Sequence, residues 1–194
     1  MWVKFGEANA ILAGDALLAL AYQVAARAPR NVAAIVGVLG EKGVGVVRGQ
    51  VEDVEGNRRI VESSNRRIVE SSDRRIVGSS DRRIVESSDR RIDDIDFIYR
   101  HKTADLFIAA AAMGGLAGGG SEGDVAALKE FALNLGLAFQ YEDDLLDGDG
   151  LYPKEKTETL VRETTAAAVA ALGRLPGDTT FLRELAQKLV GRKV

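Results

Sequence analysis

Long apolar runs, interrupted at prolines and glycines, confine this chain to helices. Stretches of roughly 15 to 25 residues rich in Ala and Leu show few β-branched alternations. The three prolines, Pro29, Pro153 and Pro176, all fall between runs, where a residue without a backbone N–H is tolerated. The spacing predicts helices over 4–28, 31–54, 93–118, 122–147, 154–173 and 178–191, and therefore an all-α helix bundle. Ser121, followed three residues later by Asp124, predicts a capping box at the start of the fourth helix. Glycines 118–120 supply the break before it.

Residues 57–92 obey a different rule. An octapeptide, RRIVESSD, recurs with little change from Arg58, Arg66, Arg74, Arg82 and Arg90. Eight residues advance a helix by about 80° beyond two turns, so the Ile-Val pairs would spiral around it and leave no lasting apolar stripe. Short RRIVE strands joined by Ser-Ser-Asp turns are conceivable but marginal alone. Ten arginines stand against three glutamates and three aspartates here. The expectation is a solvated loop insertion expanded by tandem duplication, and the sharper alternative is an anion- or partner-binding arm.

Composition excludes several chemistries. With a formal net charge of −3 and interspersed signs, the chain lacks the basic footprint of a nucleic-acid binder. The absence of cysteine rules out disulfides, thiolate metal sites and cysteine nucleophiles, and fits a reducing, cytoplasmic setting. His101 is the single histidine, which leaves carboxylates and a hard cation as the default metal chemistry. No basic segment precedes an apolar core in the manner of a secretory signal. The most apolar stretch, Ala8 to Ala26, carries Asn9, Asp15 and Gln23, polar groups that lipid would leave unsatisfied, so it is expected to be a core helix and not a membrane span.

The richest segment chemically is 135–150, LGLAFQYEDDLLDGDG, where Glu142, Asp143, Asp144, Asp147 and Asp149 lie within eight residues. On a helix Asp143 and Asp147 are i,i+4 neighbours and Asp144 and Asp147 are i,i+3 neighbours, so their charges repel. The negative end of the helix makes that worse. Such a cluster is destabilising unless a cation binds, and Mg2+ suits it, taking one or two carboxylates and filling its shell with waters and phosphate oxygens. A solvated acidic helix end is the plainer reading. Two neighbours count against it. Stepping back along the stripe gives Gln140, Leu137, Gly136 and Leu133, a wall that passes from acid to hydrocarbon. On the preceding helix, Arg100, His101, Lys102 and Thr103 supply a point charge suited to phosphate, with Lys102 on one stripe with Leu106, Ala109 and Met113.

Four segments then resemble, in order, four landmarks of the trans-polyprenyl diphosphate synthases, which include farnesyl and geranylgeranyl diphosphate synthases. They are FGEANAILAGDALLALA at 5–21, GQVEDVEG at 49–56, IYRHKTADLF at 98–107 and LGLAFQYEDDLLDGDG at 135–150. The resemblance implies an isoprenoid-synthase-type bundle, with 1–194 as the C-terminal portion of one such domain, truncated at its N-terminus, and 57–92 as an insertion. It implies a magnesium-dependent prenyltransferase that ionises an allylic diphosphate and lets isopentenyl diphosphate attack the carbocation. By position, Asp143, Asp144 and Asp147 would bind Mg2+, with Asp143 the foremost ligand. Lys102, Thr103 and Gln140 would be the catalytic contacts to the allylic diphosphate, and Phe139 would line the cavity. Gln50 and Asp53 would be polar contacts near it, whereas Glu7 and Asp15 would be paired or face a polar cavity.

The resemblance also implies departures. A first aspartate-rich motif and an arginine pair belong before FGEA, and GDGLYPKEKTETL, with Lys154 and Lys156, stands where a glycine- and lysine-rich loop is usual. Weak or absent turnover is therefore expected of this polypeptide alone. Helices 4–28 and 31–54 would form a homodimer interface through Ala- and Gly-rich faces. A non-catalytic binding or partner subunit is the alternative function. A class I terpene cyclase is a third, against which the FGEA and HKT segments argue.

Overall fold

The computed structural model describes residues 2–71, 95–148 and 150–190, and every regular element among them is helical. A helical turn at Trp2–Phe5 leads through Gly6, at φ 82°, into α1 (Glu7–Ala25). Next come α2 (Val32–Ser71), a π-helical stretch at Tyr99–Ala104 and α3 (Asp105–Gly118), which continues from it. The chain then forms α4 (Glu122–Asp147), α5 (Lys154–Ala171) and α6 (Thr180–Val190).

Local chemistry sets most of these boundaries. Gly119 takes the left-handed conformation after α3, and Gly120 N–H returns to Gly115 O at 2.9 Å, the glycine stop of a helix C-terminus. The expected capping box is present: Asp124 N–H donates to Ser121 Oγ at 3.2 Å, and Ser121 N–H donates to Asp124 Oδ2 at 2.9 Å. The Ser121 hydroxyl, donating to Asp124 Oδ2 at 2.8 Å, and then the Ser121 N–H hold the Asp124 carboxyl below its ordinary range. At the other end of α4, Gly148 again supplies a positive φ of 73°, and Pro153 stands immediately before α5.

Helix α4 is the central strut. Its Phe131, Ala132 and Leu135 pack with Ile108 of α3, with Ala168, Ala171 and Leu172 at the end of α5, and with Ala186 of α6. A second cluster joins Ile98, Tyr99, Tyr141, Tyr152 and Val161. The small residues on α3 and α5 let the backbones approach α4 closely, and among the described residues most apolar burial lies in this C-terminal half.

Two expectations from the sequence are corrected. Helix α2 does not stop near 54 but runs to Ser71, so the first part of the repeat is helical, neither loop nor hairpin. Residues 57–71 contain neither Gly nor Pro. A helix nucleated upstream can therefore propagate through them at a propensity cost of at most about 0.7 kcal/mol per residue. The missing apolar stripe bears on what such a helix packs against, not on whether its backbone continues. The rest of the repeat, residues 72–92, lies outside the described residues.

The second correction concerns α1, which is not a core helix within this chain. Leu12, Leu17 and Val24 are each more than half exposed, and Ala25 is its one buried residue. Glu7 and Asp15 are correspondingly exposed and need no partner. By length and composition alone α1 could cross a bilayer, but Asp15 near its middle would cost about 2.5 to 3.5 kcal/mol there. Apolar on all sides, α1 seeks cover that the described residues do not provide.

Candidate diphosphate site

The site is built around the π-helical turn at Tyr99–Ala104. A π-turn carries an extra residue and survives where tertiary packing holds it, often at functional positions. Here three glycines hold it. A Cβ on Gly49 would lie 2.3 Å from Lys102 N and 2.8 Å from His101 C, and one on Gly136 would lie 2.6 Å from Ala104 Cα. A Cβ on Gly45 would lie 2.1 Å from Asp105 Oδ2. Backbone therefore meets backbone on two sides of the turn, and α2 and α4 grip it between them. The stripe expected to run from Lys102 through Leu106, Ala109 and Met113 is not buried throughout. Leu106 is in fact exposed.

Each residue of the turn is committed differently. Lys102 Nζ forms an ion pair with Asp53 Oδ2 at 2.6 Å, which brings its charge to the α2 side. Thr103 Oγ1 donates to Gln140 Oε1 at 2.6 Å, Gln140 Nε2 donates to Asp144 Oδ1 at 3.0 Å, and Tyr99 O–H donates to Asp144 Oδ2. Behind them His101 Nδ1 lies 2.7 Å from Asp105 Oδ2, and Lys42 Nζ pairs with Asp105 Oδ1 at 3.2 Å and Glu41 at 3.1 Å. Asp105 is 1% exposed, and the fixed positive charge beside it is that of Lys42. Burial alone would lower the Lys42 pKa, but its hydrogen bonds to Glu41 and Asp105 outweigh that and raise it above the ordinary 10.5. The stabilisation this adds is complete below that value and is lost only as pH climbs through the raised one.

The three aspartates at the end of α4 differ in exposure. Asp144 is 9% exposed and faces inward beneath the loop after α4, where a Cβ on Gly150 would lie 2.8 Å from Asp144 Cβ. Asp143 is half-buried and Asp147 exposed. Phe139 is half-buried against Phe107, with ring centroids 5.5 Å apart. Gln50 is exposed and outside this group. The α2 stripe that meets the turn runs through Lys42, Gly45, Gly49 and Asp53, and Gln50 sits one residue, about 100°, around the helix.

Sequence reasoning missed the aromatic wall. Tyr99, Tyr141 and Tyr152 pack edge to face or tilted at 5.5 to 6.3 Å between centroids, and Tyr152 O–H donates to Asp96 Oδ1 at 2.7 Å. Burial, then the charges of Asp96 and Asp144, push the Tyr141 phenol up to about 12. Burial and the bond to Asp144 push Tyr99 higher still, so these hydroxyls stay protonated as donors. Tyr99 was within the quoted IYRHKTADLF segment, but nothing local to it signals a partner 45 residues away.

Among the described residues no group of three His, Asp or Glu side chains is placed to hold a metal ion. The donor set fits Mg2+ in its substrate-sharing form, in which one or two carboxylates suffice and phosphate oxygens complete the shell. Asp143 and Asp147 are less buried than Asp144. Toward the far end of α3 from the turn, an apolar groove of about 710 Å³ is lined by Leu17, Leu20, Val24, Ile35, Leu39 and Met113, among others.

Comparison with known proteins identifies the family. The polyprenyl synthetase family profile matches residues 1–158. A heterodimeric geranylgeranyl pyrophosphate synthase large subunit 1 (chloroplastic) from Arabidopsis thaliana is 36% identical over 152 residues, covering 74% of this chain and 34% of that protein. Geranylgeranyl pyrophosphate synthase 11 (chloroplastic) of the same plant is 33% identical over 154 residues, covering 74% and 35%. This chain thus spans about a third of the length of these relatives. A polyprenyl synthase from Roseobacter denitrificans superposes with a TM-score of 0.72 at 20% identity over 98% of this chain and 73% of that one, a likeness of fold. By its turn, its acidic helix end and its match over most of its length, the chain belongs to the polyprenyl synthetase family.

Proposed function

We propose that this chain carries the diphosphate-gripping wall of a prenyltransferase, which joins an allylic diphosphate to isopentenyl diphosphate. The observation that carries this reading is the convergence, around one π-turn, of a lysine, a hydroxyl–amide pair and the acidic end of α4. In this reading Asp143 and Asp147 hold Mg2+, which when bound neutralises charge on the leaving diphosphate. Lys102 adds a fixed positive charge, oriented by Asp53 until an anion competes for it. The Thr103 hydroxyl, its proton already given to Gln140, faces the site with lone pairs, which favour a positively charged carbon over a phosphate oxygen. Phe139 and Phe107 present ring faces for the hydrocarbon next to the head group.

Incubation of the chain with Mg2+, farnesyl diphosphate and isopentenyl diphosphate tests this. Elongated product, at a low rate, is expected. Lys102→Ala is expected to weaken diphosphate binding roughly 10- to 100-fold, the worth of one charge-assisted hydrogen bond. No product from the chain, together with unaltered diphosphate binding in Lys102→Ala, would contradict the proposal.

Self-association belongs to the same reading. On α2, Val44, Val47, Val51 and Val54 are each more than half exposed and recur at intervals of three, four and three residues, the spacing of a helix-pairing seam. Gly45 and Gly49 are already taken by the π-turn, so such an interface uses the valine face and α1, not these glycines. Light scattering is expected to give a dimer or larger species, and Val47→Glu with Val51→Glu is expected to shift it toward monomer. A monomer in the unsubstituted chain would refute this part.

A further inference from the structure

The bonds around Asp144 form a directed relay, and its direction is fixed by chemistry. Tyr99 O–H donates to Asp144 Oδ2 and the Gln140 NH2 donates to Oδ1, so both carboxyl oxygens are used as acceptors. The Gln140 carbonyl is thereby turned to Thr103, whose hydroxyl must donate to it. The amide orientation follows from the partners and does not depend on telling nitrogen from oxygen. Tyr99 sits at the head of the relay, 4% exposed and wedged against Tyr141 and Tyr152. Gly150 closes over the carboxylate.

We propose that Tyr99 is a positioning residue: by holding the Asp144 carboxylate it fixes the Gln140 amide, so that the Thr103 proton points inward and the Thr103 oxygen faces the site as an acceptor. In this arrangement Asp144 orients its neighbours, and cation binding falls to Asp143 and Asp147. The purpose of the acceptor rests on the prenyl-transfer reading, but the relay itself does not.

The test is hydrogen exchange of glutamine side-chain amides by NMR in the full chain labelled with 15N-glutamine. There are four glutamines, Gln23, Gln50, Gln140 and Gln187, and Gln140→Glu assigns the signal. Gln140 NH2 is expected to exchange about tenfold or more slowly than the exposed Gln23 and Gln50, as suits a hydrogen bond to a charged acceptor. Tyr99→Phe keeps the ring in its cluster and removes the hydroxyl, and is expected to erase most of that protection. Tyr152→Phe breaks the bond to Asp96 in the same cluster but outside the relay, and is expected to leave Gln140 unchanged. Equal exchange at Gln140, Gln23 and Gln50 in the unsubstituted chain would overturn the proposal without any variant. So would an equal effect, or none, from the two tyrosine substitutions. No substrate enters this measurement, so its failure is distinct from failure of the prenyl-transfer reading. In an active preparation, Tyr99→Phe is expected to lower kcat and leave KM for the diphosphate nearly unchanged, whereas a general loosening would move both.

Discussion

Gly49→Ala and Gly136→Ala are each expected to destabilise the chain by about 3 kcal/mol, the upper end of overpacking costs. The thermal midpoint should then fall by roughly 6 to 12 °C. The added methyl at 49 meets Lys102 N at 2.3 Å and the one at 136 meets Ala104 Cα at 2.6 Å. The obstacles are backbone atoms of the gripped turn, which cannot swing aside as a side-chain tip can. Relief requires the π-turn to slide or straighten, and either movement carries Lys102 and Thr103 away from Asp53 and Gln140. Loss of diphosphate binding should therefore accompany the loss of stability. Gly43 on the same helix supplies the control, because a Cβ there meets nothing within 4 Å. Gly43→Ala is expected to stabilise by about 0.5 to 1 kcal/mol. Thermal melts of the three variants check this, and equal midpoints would remove the glycines from the account of the turn.

The buried ion pair behind the turn should be nearly as sensitive. Asp105→Ala leaves Lys42 with Glu41 alone and His101 without its partner, at an expected cost of about 3 kcal/mol, the lower figure for breaking a buried pair. The lower figure applies because Lys42 retains one carboxylate. Asn keeps the shape but not the charge that faces Lys42, so Asp105→Asn should recover little. Urea unfolding gives the measurement. A loss under about 1 kcal/mol in Asp105→Ala would mean that Lys42 and His101 find solvent or other partners, and that the pair does not brace the turn.

Both predictions lie in contacts the sequence does not announce. The helices could be read because their signals are local: apolar runs, prolines in the gaps, and a Ser121–Asp124 box whose two partners are three residues apart. The acidic end of α4 could be read for the same reason, since five carboxylates in eight residues are unusual however they fold. The π-turn could not. Its extra residue is held by Gly49 and Gly136, which stand tens of residues to either side, and YRHKTA alone reads as ordinary helix. The different burial of Asp143, Asp144 and Asp147 was hidden likewise, because the Tyr99 that Asp144 meets stands 45 residues away. Helix α1 was misjudged for another reason: apolar residues show that a helix seeks burial, not what buries it. The repeat was misjudged because the lack of a stripe argues against packing and leaves backbone propagation untouched.

The central claim is that the end of α4 and the gripped turn together hold a magnesium diphosphate. Calorimetric titration of the chain with inorganic pyrophosphate, with and without Mg2+, tests it most directly. Saturable binding is predicted with Mg2+ and not without it, and loss of that binding is predicted when Asp143 and Asp147 are both changed to Ala. Mg2+-dependent binding that survives the double substitution, or binding indifferent to Mg2+, would contradict it.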